Sequence, residues 1–190
     1  MTVATLPAQK IANPGPLGLL SFGMTTVLLN LHNAGIIGLS IVIVAMGLAI
    51  GGAAQIVAGV VELRIGNTFA GTAFTAYGFF WWSLCLIWVN PFKGAIASAD
   101  ATSMGFYLLL WGIVSLFFFF GTLTHNRITQ IVFSSLVMLF FLLAIGDFSG
   151  SHAFTVAAGY VGIFCGLSAV YSAVGQLVHA EFNKQFFPLF

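Results

Sequence analysis

Six long apolar runs, separated by short polar or glycine- and proline-rich breaks, set the pattern of this chain. The first, about Leu17 to Ile37, follows Asn13-Pro14-Gly15-Pro16. The second, about Ser40 to Val61, stops at Glu62-Leu63-Arg64-Ile65-Gly66-Asn67. The third, about Thr68 to Val89, stops at Asn90-Pro91-Phe92-Lys93-Gly94. The remaining three run from about Thr102 to Leu123, Ile128 to Ile145 and Ala153 to Val178. A helix needs about 20 apolar residues to cross the roughly 30 Å hydrocarbon core, and each run is near that length. Barrel strands would alternate apolar and polar positions over about ten residues, and these runs are continuously apolar. The pattern predicts an all-α integral membrane protein: a six-transmembrane-helix bundle over 17–178, with tails at 1–16 and 179–190.

Composition narrows this further. Of 190 residues, 60% are hydrophobic and 5% charged, where a soluble domain carries about 25% charged residues. Such a chain cannot cover a soluble globule with polar surface, and five Lys/Arg form no basic stripe for nucleic acid. With the N-terminus inside, the inner segments hold Lys10, Arg64, Arg127 and Lys184, and the outer ones hold Lys93. The positive-inside rule therefore predicts that both termini are cytoplasmic. Met1 to Asn13 has no basic stretch followed by an apolar one, so the first run reads as a retained helix rather than a cleaved signal. Cys85 and Cys165 lie inside apolar runs without metal-ligand spacing, and read as small buried hydrophobes.

The chemistry available is sparse. His32, His125, His152 and His179 fall near span ends and form no HExxH pattern. Ser134-Ser135 lacks a hydrolase elbow, and no pair of intramembrane carboxylates is present. No catalytic residue, metal site or cofactor is expected, and the chain does not read as an enzyme. The span interiors instead hold Thr25, Thr26, Asn30, Gln55, Thr68, Thr72, Thr75, Tyr77, Ser134 and Ser135. Hydroxyls alone are weak evidence, because Ser and Thr bond back to their own helix. Gln55 is stronger: a primary amide in hydrocarbon must find a partner or water. Gly47, Gly51, Gln55 and Gly59 form one small-residue line, and Gly159, Gly162, Gly166, Ala169 and Ala173 another. Such stripes bring helices close together, and they also leave room for a path. No Lys or Arg sits in a span interior, which argues against a deep anion trap or a voltage sensor. What fits is a path for small neutral solutes or small weak acids, handed between hydroxyls, amides and helix N-termini near Asn13–Pro16 and Gly66–Thr68. Glu62 is either a solvated interfacial acid or a proton-linked group.

The run Asn13-Pro14-Gly15-Pro16-Leu17-Gly18-Leu19 resembles the NPAPLGL signature of the acetate uptake transporter family, whose bacterial type is the succinate–acetate permease. The resemblance continues through Phe22-Gly23-Met24-Thr25-Thr26, Leu29-Asn30-Leu31-His32-Asn33, Gly51-Gly52-Ala53-Ala54-Gln55-Ile56, Glu62 to Thr75, Phe119-Phe120-Gly121-Thr122-Leu123 and Cys165-Gly166. It spans nearly the whole chain, with Gly15 standing where the signature has Ala. It implies a six-helix protomer assembled as a homohexamer in the plasma (inner) membrane, with a separate path in each protomer. It also implies a hydrophobic constriction at Phe22, Tyr77 and Leu136, where three apolar bodies form a dewetting gate and the Tyr77 hydroxyl guides the solute. The candidate path takes in Asn13, Pro14, Thr25, Asn30, Gln55, Thr68, Thr72 and Ala169, with Glu62 as a possible proton-linked group. The expected function is transport of acetate and similar small carboxylates, succinate included, proton-linked or channel-like. A pH-gated channel for urea or short amides is the alternative, and a purely structural or sensory membrane protein is a third class.

Overall fold

A computed structural model describes residues 12–189. Its helices are α1 (Gly15–Asn33), α2 (Ile41–Arg64), α3 (Thr68–Val89), α4 (Ala101–Gly121), α5 (Arg127–Ser149) and α6 (His152–Phe182). Five of these, α2 to α6, are long and apolar enough to cross a membrane. The first is not among them; within it lie the polar Ser21, Thr25, Thr26 and Asn30. All four are buried: α1 turns its polar groups inward and shelters along α6, its main neighbour. Lys10 and the rest of the first eleven residues lie outside the described residues.

The breaks act as local chemistry predicts. Asn67, Asp100 and Asn126 cap α3, α4 and α5, each accepting the backbone N–H three residues on (3.3, 2.7 and 3.0 Å). Asn90 and Gly150 close α3 and α5 in the left-handed conformation. The Gln130 amide donates to the carbonyl of His125 at 3.1 Å and ties the end of α4 to α5. The last helix overruns its expected end at Val178 and continues to Phe182. At about 1.5 Å per residue it exceeds the hydrocarbon core. The chain then folds back, and the Tyr171 hydroxyl donates to the Pro188 carbonyl at 3.0 Å.

The small-residue stripe of α6 proves to be a seam. A Cβ on Gly166 would stand 2.7 Å from the Gly23 carbonyl oxygen, one on Gly162 would collide with Asn30, and one on Gly159 with the backbone of Ala34. The stripe is filled by α1, so it leaves no path along that line. The α2 glycines make a second seam, against α3: a Cβ on Gly51 would stand 2.7 Å from the Trp81 ring, and one on Gly59 would collide with Thr75. Gly47 to Ala54 winds as a π-helix, a form concentrated at functional sites. It is held from α3, where the Trp82 indole donates to the Leu48 carbonyl at 2.9 Å. Gln55 follows directly as the helix returns to α geometry.

Candidate functional site: a vestibule and a constriction

Two cavities follow one another between the helices. The wider, about 380 Å³, opens at one end of the bundle. Its wall joins the starts of α1, α3 and α5 to the ends of α2 and α6, through Gly15, Ala70, Thr129, Glu62 and Gln176. The helices therefore alternate in direction, as the run pattern requires. Arg64, Arg127 and Lys184 belong to this same end, and Lys93 lies in the loop at the other. The second cavity, about 30 Å³, lies deeper and is walled by Leu19, Phe22, Gln55, Ala73, Phe74, Tyr77, Val132, Phe133 and Leu136. The two share Leu19, Ala73, Phe74 and Phe133. Thirty cubic ångströms holds about one water molecule, so this is the narrow point of the series.

Phe22, Tyr77 and Leu136, assigned to a constriction by the resemblance, meet on the wall of this cavity. The Phe22 and Tyr77 rings lie 6.0 Å apart, and all three side chains are buried in one apolar cluster. Gln55 joins them. It is 0% exposed, and neither its amide nitrogen nor its amide oxygen has a hydrogen-bond partner. An unpaired buried amide costs about 1–3 kcal/mol, so its retention on an otherwise apolar wall needs a reason.

The Tyr77 hydroxyl departs from the expectation that it guides a solute. It shares a 2.9 Å hydrogen bond with Ser115 of α4 and is already engaged. The helix starts also differ from expectation. Asn13 Oδ1 accepts the Gly15 N–H at 2.9 Å and Asn67 Oδ1 the Ala70 N–H at 3.3 Å, so those donors are capped by side chains. Asn13 and Glu62 do reach the vestibule wall. The Asn13 amide donates to Gln176 Oε1 at 3.2 Å, clasping the start of α1 to the end of α6. Pro14 is buried behind this corner.

The other path candidates lie elsewhere. The Thr25 hydroxyl donates to the Ser21 carbonyl and the Asn30 amide to the Thr26 carbonyl, so both are satisfied within α1. Ala169 is fully buried in the core cluster, off both cavity walls. Thr68 and Thr72 are exposed on α3, because Ala73 and Tyr77, one turn apart, carry the cavity-facing stripe of that helix. The threonine face expected to line a path is therefore turned away from both cavities. Helical phase recovers what sequence reasoning missed. Leu19 lies three residues before Phe22, Ala73 four before Tyr77 and Phe133 three before Leu136. Each is one turn closer to the vestibule. No sequence signal marked Asn126, Thr129 or Ser115.

Fold and site together define a multi-pass α-helical membrane protein with a vestibule narrowing to an aromatic constriction inside a single protomer. The chain belongs to the GPR1/FUN34/yaaH family, whose defining pattern matches residues 1–189. It is 50% identical over 180 residues to the succinate-acetate/proton symporter SatP of Escherichia coli strain K12, covering 95% of this chain and 96% of that one. It is 30% identical to acetate permease A of Emericella nidulans, covering 96% of this chain and 66% of the relative. The solved structure of the bacterial acetate channel SatP superposes with a TM-score of 0.93 at 50% identity, over 95% of this chain and all of that one.

Proposed function

We propose that this protein carries acetate and similar small carboxylates, succinate included, across the plasma membrane through each protomer, and that it catalyses no reaction. The observation that carries this reading is the unpaired Gln55 amide on the wall of the Phe22–Tyr77–Leu136 cavity. Its N–H groups can donate to a carboxylate oxygen and its carbonyl can accept from the protonated acid. The apolar remainder of the wall excludes bulk water and hydrated ions. Neither cavity wall carries Lys or Arg, so nothing holds the anion too tightly to release it. The relatives named as a symporter and as an acetate permease, and the structure named as an acetate channel, support the substrate class.

The vestibule opens to the cytoplasm with both termini, since Arg64, Arg127 and Lys184 share its side. The family resemblance supports a homohexamer, in which each copy keeps its own path. Reconstitution into proteoliposomes tests the function. Labelled acetate should accumulate above empty vesicles, compete with propionate and ignore urea. No uptake above empty vesicles, or uptake blocked by urea and indifferent to propionate, would contradict the reading.

A further inference from the structure

We infer that Ser115 is a positioning residue for Tyr77 and, through it, sets which carboxylates pass the constriction. This rests on the reading of Phe22, Tyr77 and Leu136 as the gate. A serine in a membrane helix ordinarily returns its hydroxyl to a carbonyl three or four residues back. Ser134, Ser135, Ser149 and Ser168 all do so here. Ser115 does not: its hydroxyl is fully buried and its hydrogen bond crosses to Tyr77, at 2.9 Å.

The neighbours of Ser115 extend the same grip. Trp111, one turn earlier on α4, lies with its ring 5.8 Å from that of Tyr77, and Phe118, three residues later, also at 5.8 Å. Two rings flank the tyrosine and the serine holds its tip. No residue of α4 lies on the wall of the narrow cavity, and α4 packs chiefly on α5. α4 therefore reaches the gate at second hand, through Tyr77 and through α5, where the Phe118 ring lies 6.1 Å from that of Phe133. With the hydroxyl held, the ring presents a fixed apolar edge to Phe22. With that hydrogen bond removed from either side, the tip of the buried ring is no longer held, and the ring already forms part of the cavity wall. The ring then turns, and the constriction becomes wetter and less selective for size.

The test is the ratio of labelled acetate to labelled butyrate uptake in proteoliposomes, measured for Ser115→Ala, Ser115→Thr, Tyr77→Phe and the Ser115→Ala/Tyr77→Phe double variant. Ser115→Ala should lower the ratio by about threefold to tenfold, the span of one hydrogen bond between neutral groups. Tyr77→Phe should lower it to a similar extent, and the double variant no further. Ser115→Thr, which keeps the hydroxyl, should retain the original ratio. If Ser115→Ala leaves the ratio unchanged while Tyr77→Phe shifts it, or if the two shifts multiply in the double variant, Ser115 does not act through Tyr77. Leu136→Ala separates the two levels of failure. An unchanged ratio there would sink the gate and this assignment with it. A changed ratio there with none in Ser115→Ala would sink the assignment alone.

Discussion

At the scale of single residues, the cost of Gln55 is the clearest sign of function. A buried amide with both polar atoms unpaired destabilises the fold that contains it, while leucine of similar length would suit the same apolar wall. Stability and activity should therefore separate. Gln55→Leu should raise the melting temperature of the detergent-solubilised protein, by the equivalent of about 1–3 kcal/mol, while reducing acetate uptake at least tenfold. A variant that melts lower and transports normally would show the amide to be structural. Gln55 was legible from the sequence because no amide sits idle in hydrocarbon. Thr25 and Asn30 were legible as polar but not as satisfied, since their acceptors are the Ser21 and Thr26 carbonyls of their own helix. Local back-bonding of this kind leaves no trace in the pattern of residue types.

At the scale of elements, the α1–α6 seam and the helix caps carry the architecture. The seam depends on glycines that let two backbones touch. Gly166→Ala would set a methyl 2.7 Å from the Gly23 carbonyl. Overpacking of this kind costs about 1–3 kcal/mol, so the variant should melt measurably lower than the parent, as thermal unfolding in detergent would show. An unchanged melt would mean that the helices part without penalty. The cap of α4 is exposed and should respond to pH. Hydrogen bonds from the Ser103 N–H and hydroxyl hold the Asp100 carboxyl below its ordinary 3.8. A carboxyl with a depressed folded pKa stabilises the folded form above its ordinary value. That stabilisation fades as pH falls through the folded one. Amide protection at Ser103 should therefore be full near neutrality and decline in strong acid. Asp100→Asn, which keeps an acceptor without the charge, should flatten that decline, as hydrogen exchange would report. Run lengths located all six helices in the sequence to within a few residues. The π-helical stretch Gly47–Ala54 was not legible, because it is fixed by α3 through the Trp82–Leu48 hydrogen bond, a contact between distant parts of the chain.

At the scale of the whole molecule, six helices of alternating direction enclose a funnel whose mouth is polar and whose throat is apolar. The fold was readable because membrane hydropathy is additive along the chain. The funnel was not, because its wall depends on helical phase and on which faces meet; the resemblance supplied Leu136 and the grouping of Phe22, Tyr77 and Leu136 as a constriction. Glu62, 3% exposed, is the carboxylate on the vestibule wall, facing Asn13, Asn67, His125 and Gln176 from the neighbouring elements. If it links proton movement to transport, Glu62→Gln should still pass acetate but lose most of the stimulation by an imposed pH gradient. Retained stimulation would place the coupling elsewhere. The central claim is that solute passes between Phe22, Tyr77 and Leu136 within one protomer. Leu136→Cys treated with a membrane-permeant thiol reagent tests it most directly, since Leu136 lines the cavity while native Cys85 and Cys165 are buried off both cavity walls. Modification should abolish labelled acetate uptake, and excess acetate during treatment should slow the loss. A fully modified Leu136→Cys protein that takes up acetate at its unmodified rate would contradict the account.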